Sequence, residues 1–469
     1  ALGIKTPLGW REFTYRGVGL LSRKLAYHLI NDLDIKKGQR LAILSESKPE
    51  YGACVFASVM AGLITVPLDI KLSEYEPQSI LSDCQPTVLL TSQHYLDKAL
   101  KLKENIPSIE HIIMIDEPSY NMPVSCLYTL PDNYEAKWRH RSSKSTAFII
   151  YTSGTTGSPK GVEITFRNML TQLIDTEQIV PKFFNTNEKV NILSILPMNH
   201  LFELTIGFSA FLYWGLSVYY THSLKPKDIL SIMREKKINF MIVVPAFMRL
   251  LKNSIESEIN KMSAIRKWSF QLRYAIAKFI PCRKCRQLMF HFVNKKFGGK
   301  FKGFISGGAP LDVAAAKFFQ RLGIQVFEGY GLSETSPVVS INRQNDVRLG
   351  SVGKAIPGVE VKLDAQTNEL LVKGNNVMTG YYNRPDLTKE IISEDGWLHT
   401  GDIAKIDKDG FIYITGRIKN VIVTQNGKNI YPEEIELMLS DIKEIKECMV
   451  YGKEDEINNI ESQILIKRN

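Results

Sequence analysis

Cysteine and long uncharged runs are both scarce in this sequence. The 469 residues include six cysteines that lack the dense spacing of a secreted disulfide scaffold, which favours a reducing, cytosolic location. The longest uncharged run, Leu204 to Tyr220, is barely long enough to cross a bilayer and contains several glycine, serine and threonine residues. We predict that this run forms a buried helix and not a transmembrane one.

Internal repeats, low-complexity tracts and sustained heptads are also missing, which excludes solenoid and coiled-coil folds. Basic residues dominate only one stretch. Residues 249–302 contain 14 Lys+Arg and 2 Asp+Glu, a net charge of +12 that exceeds the +10 of the whole chain. The rest of the chain is therefore slightly acidic. No nucleic-acid partner is predicted.

Short apolar runs rich in β-branched and aromatic residues recur along the first two-thirds of the chain. They are Leu41 to Leu44, Val88 to Thr91, Ile112 to Ile115, Phe148 to Tyr151, Phe240 to Val244 and Phe304 to Ser306. Segments long enough for helices separate them, and this alternation predicts an α/β fold of parallel sheets covered by helices.

The pattern changes after about residue 350, where shorter strands alternate with turn signals such as Asp409-Gly410. These strands predict an antiparallel or β-barrel-like subdomain. A helix is predicted to begin near Pro432, because acidic residues crowd its first turn. We place a domain boundary at the hinge near Lys419. Residues 1–418 then form a large N-terminal domain, and residues 419–469 form part of a small, mobile α+β domain.

The strongest local signal is a loop of hydroxyl and glycine residues after an apolar strand, Ile150-Tyr151-Thr152-Ser153-Gly154-Thr155-Thr156-Gly157-Ser158-Pro159-Lys160-Gly161. Backbone N–H groups, hydroxyls and one lysine can converge there on a polyphosphate. A flexible surface turn is the alternative. The fifth residue after Gly154 is Pro159 and the fifth after Gly157 is Val162, so the Walker A spacing fails and a P-loop NTPase is not predicted.

This loop resembles the phosphate loop of the acyl-adenylate-forming superfamily of acyl-CoA synthetases, peptide-synthetase adenylation domains and luciferases. Further family-like motifs follow in the family's order: Leu196-Pro197-Met198-Asn199-His200, Ser306-Gly307-Gly308-Ala309-Pro310-Leu311, Gly329-Tyr330-Gly331-Leu332-Ser333-Glu334-Thr335, Gly396-Trp397-Leu398-His399-Thr400-Gly401-Asp402 and Gly416-Arg417-Ile418-Lys419-Asn420. The resemblance implies adenylation of a carboxylate by ATP with Mg²⁺, followed by transfer of the acyl group to coenzyme A.

The resemblance also implies roles for individual residues. The triphosphate would be held by Thr152, Ser153, Thr155, Thr156 and Lys160. Glu334 would bind Mg²⁺, and Thr335 would contact the α-phosphate. The nucleoside would be held by Tyr330 and Gly308 at the adenine and by Asp402 and Arg417 at the ribose.

Two of these motif residues have an equally simple structural interpretation. His200 would lie between the acyl pocket and the adenylate, or it would serve in core packing. Asp402 would otherwise be an ordinary turn residue.

The resemblance extends beyond the predicted boundary. Lys419 would be the hinge of the small domain, and Gly427 and Lys428 would line a tunnel for the pantetheine arm of coenzyme A. One departure stands out, because the family's Pro-Lys-Thr-x-x-Gly-Lys-like motif with its adenylating lysine has no counterpart before Asn469. The C-terminal domain is therefore predicted to be incomplete, which we attribute to truncation.

The basic segment, residues 249–302, resembles an insertion of long-chain fatty acyl-CoA synthetases. As a helix it would align Ile265, Trp268, Leu272, Ile276 and Phe279 in one stripe. Arg266, Lys267, Arg273 and Lys278 would lie opposite, as in helices at a membrane interface. The alternatives are a core-packed helix with a solvated basic face and a surface for acyl carrier protein. Cys282 and Cys285 lack the further ligands of a zinc site.

The predicted function is that of a long-chain fatty acid–CoA ligase (AMP-forming) that uses ATP, Mg²⁺ and coenzyme A. The predicted location is the cytoplasm, with peripheral contact to the inner face of a membrane. A fatty acyl-acyl carrier protein synthetase is one alternative. A catalytically weak acyl- or nucleotide-binding protein that lacks the C-terminal lysine is the other.

Overall fold

A computed structural model describes residues 2–7, 9–73, 75–118, 123–135, 137–152, 159–179, 189–423, 429–439, 442, 445–454 and 460–468. Two large mixed sheets, each with helices packed on it, make up most of the chain, and smaller antiparallel sheets follow. The predicted α/β fold class is confirmed.

The strands lie in chain order at β1 (Leu2–Thr6), β2 (Gly9–Phe13), β3 (Arg40–Leu44), β4 (Ile64–Pro67), β5 (Val88–Thr91), β6 (His111–Met114), β7 (Ser125–Cys126), β8 (Thr146–Thr152), β9 (Lys160–Thr165), β10 (Asn191–Ser194), β11 (Ser217–Tyr220), β12 (Phe240–Val243), β13 (Gly303–Ser306), β14 (Gln325–Gly331), β15 (Val338–Ile341), β16 (Lys354–Ala355), β17 (Val359–Leu363), β18 (Glu369–Gly374), β19 (Gly380–Tyr381), β20 (Leu398–Ile406), β21 (Ile412–Arg417), β22 (Ile422–Val423), β23 (Asn429–Ile430), β24 (Ile445–Glu454) and β25 (Ile460–Arg468).

The α-helices are α1 (Tyr15–Tyr27), α2 (Pro49–Met60), α3 (Tyr75–Cys84), α4 (Leu96–Asn105), α5 (Phe166–Glu177), α6 (Phe211–Tyr213), α7 (Pro226–Glu235), α8 (Pro245–Asn260), α9 (Ala264–Ile276), α10 (Arg283–Met289), α11 (His291–Lys296), α12 (Val313–Arg321), α13 (Pro385–Ile391) and α14 (Pro432–Leu439). Wide π-helical turns at His28–Asp32 and Glu203–Ala210 extend α1 and precede α6.

Both large sheets have a parallel centre. The eight-stranded sheet runs β19-β9-β8-β4-β3-β5-β6-β7, and the nine-stranded sheet runs β16-β15-β14-β13-β12-β10-β11-β1-β2. Their central strands are buried runs of Val, Ile, Leu and Phe, as expected for strands covered on both faces. All six apolar runs singled out in the sequence are strands.

The two sheets share a core that reaches across the helices between them. Gly52 in α2 lies against Phe208 in the π-helical turn, and a Cβ at Gly52 would lie 2.4 Å from the phenyl ring. A side chain at this position would therefore push the two helices apart.

The predicted barrel-like subdomain is a four-stranded antiparallel sheet in the order β17-β18-β20-β21, with β17 and β21 at its edges. Asp402 on β20 lies directly opposite Arg417 on β21 in the register. This pairing brings two predicted ribose contacts together.

One prediction of secondary structure is wrong in its extent. The uncharged run from Leu204 to Tyr220 is buried, but its helix ends at Tyr213 and its last four residues form β11. A turn at Gly215, whose φ of +77° suits glycine, separates the two. The β-branched and aromatic residues of the Ser-Val-Tyr-Tyr end prefer a strand inside the sheet to a further helical turn.

None of the helices in the described part of the chain is long and apolar enough to cross a membrane. Beyond Lys419, the described elements are β22 to β25 and α14, which begins at Pro432 as predicted. The backbone N–H of Val450 donates to the Glu436 carboxylate at 2.8 Å, so α14 is tied to β24. The domain boundary and the incompleteness of the C-terminal domain stay predictions.

Candidate active site

The phosphate loop connects two strands that are paired with each other. In the antiparallel pair of β8 and β9, Thr152 lies directly opposite Lys160, so both ends of the loop are held at one edge of the sheet. The predicted triphosphate contacts Ser153, Thr155 and Thr156 lie outside the described residues. Thr152 and Lys160 are therefore the part of the predicted cradle that can be placed.

Lys160 and Glu334 are brought together by a tyrosine that the sequence analysis missed. The Lys160 ammonium lies 5.4 Å from the centre of the Tyr381 ring, and the Tyr381 hydroxyl donates to a Glu334 carboxylate oxygen at 2.8 Å. The backbone N–H of Met378 also donates to the Glu334 carbonyl oxygen at 2.8 Å. Burial and the Glu334 charge raise the pKa of Tyr381, so it stays a protonated donor at neutral pH.

Glu334 fits the predicted role of Mg²⁺ ligand. Its carboxylate provides hard oxygens beside Lys160, and the Tyr381 hydroxyl fixes its orientation. Within the described ranges, no group of three or more His, Cys, Asp or Glu side chains could hold a metal ion by itself. Mg²⁺ characteristically takes one or two carboxylates plus substrate phosphates, so one well-oriented carboxylate next to a phosphate loop is a suitable donor set.

Thr335 sits in a short 3₁₀ turn directly after Glu334 and is fully buried. Its hydroxyl accepts from the Leu332 N–H at 2.9 Å and lies 2.8 Å from the Pro337 carbonyl oxygen. The side chain thus braces the turn that presents Glu334. Its contact with an α-phosphate stays a prediction.

A cavity of about 500 Å³ lies between the glycine-rich motifs and the antiparallel sheet. Its lining includes four predicted nucleoside contacts: Gly308, Tyr330, Asp402 and Arg417. The Tyr330 hydroxyl donates to one Asp402 oxygen at 2.6 Å, and the Arg417 Nε donates to the other at 2.9 Å. Asp402 is buried and bridges the two side chains, so it is more than an ordinary turn residue.

Gly308 contributes an open wall to this cavity. Its φ is +81°, and a Cβ built there would meet no atom within 4 Å. The left-handed backbone conformation, and not a lack of space, favours glycine at this position. Because glycine has no side chain, a planar ligand could lie close to the backbone here.

Glu328 is a second residue that the sequence analysis missed. It lies on β14 two residues before Tyr330, lines the same cavity and is almost fully buried. One of its carboxylate oxygens has no hydrogen-bond partner in the described structure. Burial raises its pKa to about 8, so the group is mostly protonated at neutral pH. An acidic residue directly after the apolar pair Val326–Phe327 was the available signal.

A smaller apolar cavity of about 70 Å³ adjoins the first. Phe202, Ile206, Phe211 and Ile305 are among its apolar residues. The two cavities share Gly308 and the strand end Gly329 to Gly331 as a common wall. A carboxylate in the apolar cavity and a nucleotide in the larger one would therefore meet at this wall.

His200 lies in the loop after β10, between residues that line two different cavities. Asn199 belongs to a separate cavity of about 520 Å³, whereas Phe202 belongs to the apolar one. Although His200 is solvent-exposed, partial desolvation lowers its pKa and favours the neutral imidazole. It is not among the residues that line the nucleotide cavity, and its role in catalysis stays a prediction.

Lys419 occupies a short 3₁₀ turn, Ile418–Asn420, directly after Arg417. The next residue, Asn420, lines the nucleotide cavity. This turn connects the cavity to the C-terminal elements, which is where a hinge would be needed. The predicted tunnel residues Gly427 and Lys428 lie outside the described part of the chain.

Curated relatives align over almost the whole chain. The long-chain-fatty-acid–CoA ligase FadD15 of Mycobacterium bovis is 29% identical over 461 residues, which span 94% of this chain and 76% of that protein. The long-chain-fatty-acid–CoA ligase of Salmonella typhimurium is 29% identical over 482 residues, with 94% and 78% covered. The human long-chain-fatty-acid–CoA ligase ACSBG1 is 29% identical over 469 residues, and this chain spans only 64% of its length.

Solved structures share the fold. An ATP-bound RpMatB–BxBclM chimera superposes with a TM-score of 0.79 at 23% identity, covering 99% of this chain and 84% of that one. An o-succinylbenzoate coenzyme A synthetase of Bacillus subtilis, in complex with ATP and magnesium ion, gives a TM-score of 0.75 at 23% identity, with 99% and 86% covered.

These findings confirm the predicted enzyme class, an acid–thiol ligase of the adenylate-forming type, whose cofactors are ATP and Mg²⁺ and whose acceptor is coenzyme A. A family model described as AMP-binding enzyme matches residues 4–382, which include the phosphate loop, Glu334 and Tyr381. The chain therefore belongs to the AMP-binding enzyme family.

Proposed function

We propose that this protein is a long-chain fatty acid–CoA ligase (AMP-forming). The shared wall of the two cavities carries the proposal, because an apolar cavity that could take an acyl group lies directly against the cavity lined by the predicted nucleoside contacts. The curated relatives named above, which all act on long-chain fatty acids by name, support the substrate class. The carboxylate of the fatty acid would attack the α-phosphate of ATP at the edge formed by Gly329 to Gly331.

The chemistry at this edge is the approach of one anion to another, so the site must neutralise charge and align the reactants. Lys160 provides a fixed cation near the phosphate loop, and Tyr381 holds the Glu334 carboxylate in place. Asp402 and Arg417 would fix the ribose and thereby the α-phosphate. Bound Mg²⁺, held by Glu334 and the phosphates, would supply further positive charge.

The length of the fatty acid that the enzyme accepts would depend on how deep the apolar cavity can become. Its present volume of about 70 Å³ is too small for a long chain. A long acyl group would therefore enter only if the wall of Phe202 and Phe211 opens. Each buried methylene contributes about 0.8 kcal/mol, so small differences in depth would set the preferred length.

The test is ATP-dependent AMP release with fatty acids of graded length. Coenzyme A and acyl carrier protein should be compared as acceptors in the same assay. AMP and acyl-CoA formation that rises with chain length supports the ligase. Product only with acyl carrier protein would establish the synthetase alternative. ATP binding without AMP release from a chain that retains the full C-terminal domain of its relatives would leave only a binding role.

The second half-reaction needs a different approach path, because the coenzyme A thiol attacks the acyl carbon and not the phosphate. We propose that the turn at Lys419 is the hinge between the two poses. Lys419→Pro fixes φ near −65° and should slow one half-reaction at least about tenfold while sparing the other. Lys408→Pro in the Asp409-Gly410 hairpin is a matched backbone control. Single-turnover timing that shows equal losses in both steps, or in neither, would remove Lys419 from this role.

We also propose that the protein contacts the surface of an anionic membrane through α9 together with the 3₁₀ turn that continues it, Ala277–Phe279. The apolar stripe predicted from the sequence is a solvent-exposed face, because Ile265 and Phe279 are 80% and 79% exposed and Trp268 is 64% exposed. The helix packs on the protein through its other apolar face, where Phe270 and Ala277 are buried. The alternative of a core-packed stripe therefore does not apply to these residues.

The cations of α9 lie at the borders between its two apolar faces. At 100° per residue, Arg266 and Arg273 fall on one border of the exposed stripe and Lys267 and Lys278 on the other. This arrangement, with an apolar centre and cationic edges, suits a helix lying in the headgroup region of an anionic leaflet. Such contact would deliver the enzyme to its poorly soluble substrate.

Vesicle sedimentation tests this proposal. Changing Arg266, Lys267, Arg273 and Lys278 together to Gln should weaken binding to vesicles that contain phosphatidylserine, and raised salt should weaken binding of the parent. Four exposed lysines elsewhere, Lys37, Lys101, Lys389 and Lys408, form a charge-matched control set. If both sets of substitutions reduced vesicle binding equally, or if binding did not depend on salt, α9 would not be the membrane contact. Binding only to acyl carrier protein would establish that alternative.

A further inference from the structure

Two of the six cysteines form an exposed pair at the start of α10. Cys282 and Cys285 are both solvent-exposed, and they lie in the sequence Cys-Arg-Lys-Cys. The backbone N–H of Cys285 donates to the Cys282 sulfur at 3.4 Å. Cys282 caps the first turn of the helix, so the two sulfurs occupy adjacent positions of a single turn.

The two thiols differ in acidity. A hydrogen bond from the Cys285 side chain, reinforced by the backbone and by Lys284, holds the pKa of Cys282 below its usual value. The same contact raises the pKa of Cys285. This asymmetry distinguishes an attacking thiolate from a resolving thiol within the pair.

The turn that carries the pair is held firmly from behind. The Arg283 guanidinium donates to the Gln325 side chain at 2.9 Å, and the Arg286 guanidinium donates to the Gln320 carbonyl oxygen at 2.8 Å. These contacts anchor α10 to α12 and β14 while the sulfurs face solvent. A bond between the sulfurs would close within this single anchored turn.

The remaining cysteines lack these properties. Cys54, Cys84 and Cys126 are buried, and burial raises the pKa of Cys84 to about 12. Cys448 is half-buried, and desolvation raises its pKa. Oxidation should therefore be selective for the pair on α10.

A metal site is a weaker interpretation of the pair. Two thiolates provide only half of a tetrahedral zinc shell. Among the described residues, no third His, Cys, Asp or Glu side chain lies close enough to the pair to complete a group that could hold a metal ion. The pair thus has the geometry of a dithiol and not of a metal shell.

We propose that Cys282 and Cys285 form a reversible dithiol–disulfide pair that reacts with low-molecular-weight disulfides. The Cys282 thiolate attacks one sulfur of oxidised glutathione, the glutathione S–S bond breaks, and one glutathione thiolate leaves with the bonding electrons. Cys285 then loses its proton to solvent and attacks the Cys282 sulfur, which releases the second glutathione thiolate. The protein dithiol is oxidised, and oxidised glutathione is reduced to two thiols.

The experiment uses the full chain, fully reduced and then equilibrated with graded ratios of oxidised to reduced glutathione. After acid quenching and alkylation, intact mass and peptide mapping should show a species that has lost two hydrogen atoms, bridged between Cys282 and Cys285. Its fraction should rise in a single transition as the ratio increases. Independent glutathione adducts on the two residues, with no bridge at any ratio, would overturn the proposal.

Matched variants identify the two roles. Cys285→Ser should stop at a mixed disulfide on Cys282, and Cys448→Ser should behave like the parent. At pH 7, Cys282 should react with iodoacetamide about tenfold faster than Cys448. Cys285→Ala should slow this alkylation, because the side-chain hydrogen bond that favours the Cys282 thiolate is lost. Equal rates for Cys282 and Cys448, or a faster reaction of the Cys285→Ala variant, would contradict the assigned roles.

Discussion

The nucleotide cavity and helix α9 use charge in opposite ways. In the cavity, Asp402 is buried and bridges Tyr330 and Arg417, so one carboxylate determines the position of two neighbours. On α9 and the 3₁₀ turn that continues it, four cations border an exposed apolar stripe. The first arrangement would concentrate function in single residues. The second would distribute membrane contact over a surface, where each residue contributes little.

The largest expected effect tests the cavity region, where function would depend on single residues. Glu334→Gln should keep the fold and nucleotide binding, but slow adenylate formation on the order of 10²- to 10³-fold, because a charged ligand near the phosphates is lost. Pyrophosphate release is the measurement. Tyr381→Phe, which leaves the carboxylate but removes its 2.8 Å hydrogen bond, is the graded control and should lose less. Near-normal pyrophosphate release by Glu334→Gln would contradict the proposed role of Glu334 as the Mg²⁺ ligand.

The next effect concerns Asp402. Asp402→Asn should weaken nucleotide binding about 10- to 100-fold, because two hydrogen bonds to a charged group become hydrogen bonds to a neutral amide. Calorimetric titration with ATP measures the change. Asp407→Asn, which alters a half-buried carboxylate paired with Arg348, should leave ATP affinity unchanged. Equal losses in both variants would mean that the sheet, and not the bridge, is being perturbed.

A third prediction uses the buried acid Glu328. Its pKa is about 8 in the folded protein and 4.5 ordinarily, so the folded state holds the extra proton between these values. Stability should therefore fall as pH rises across this window, by up to about 1.4 kcal/mol per pH unit. Glu328→Gln should flatten this slope in urea unfolding at pH 6 and pH 8. An unchanged slope would show that Glu328 does not titrate in this window.

The smallest effect tests the distributed arrangement. A single change, Lys278→Gln, should weaken binding to phosphatidylserine vesicles only about fivefold, the contribution of about one cation near a charged surface. Lys284→Gln, in the first turn of α10 beyond the stripe, serves as the comparison and should leave vesicle binding nearly unchanged. If Lys278→Gln alone lost as much binding as the variant with all four substitutions, Lys278 would be a specific lipid contact. The contrast between the two regions would then disappear.

Much of the fold and of the site could be predicted because the signals are local. Runs of Val, Ile and Phe marked the central strands, and hydroxyl- and glycine-rich loops marked the edges where parallel strands end. Ordered motifs then indicated that Glu334, Tyr330 and Asp402 belong to one site. The structure unites Tyr330 with Asp402 and places Glu334 in the turn after the same strand, β14.

Other features depended on contacts between distant parts of the chain. Tyr381 and Glu334 are 47 residues apart, and nothing in the sequence around Tyr381 distinguishes it from a packing residue. Helix α9 has two apolar faces, and its periodicity cannot tell which of them is buried. The run from Leu204 to Tyr220 is uncharged throughout, yet the sheet recruits only its last four residues as β11.

The sequence by itself determined the order of strands and helices, the composition of the phosphate loop and the family motifs, because these depend on backbone propensity and on neighbours within a few residues. Only the tertiary structure decided which carboxylates are bridged, which acid is buried and which helix face meets solvent. Those outcomes depend on desolvation and on hydrogen bonds between residues that folding alone brings together.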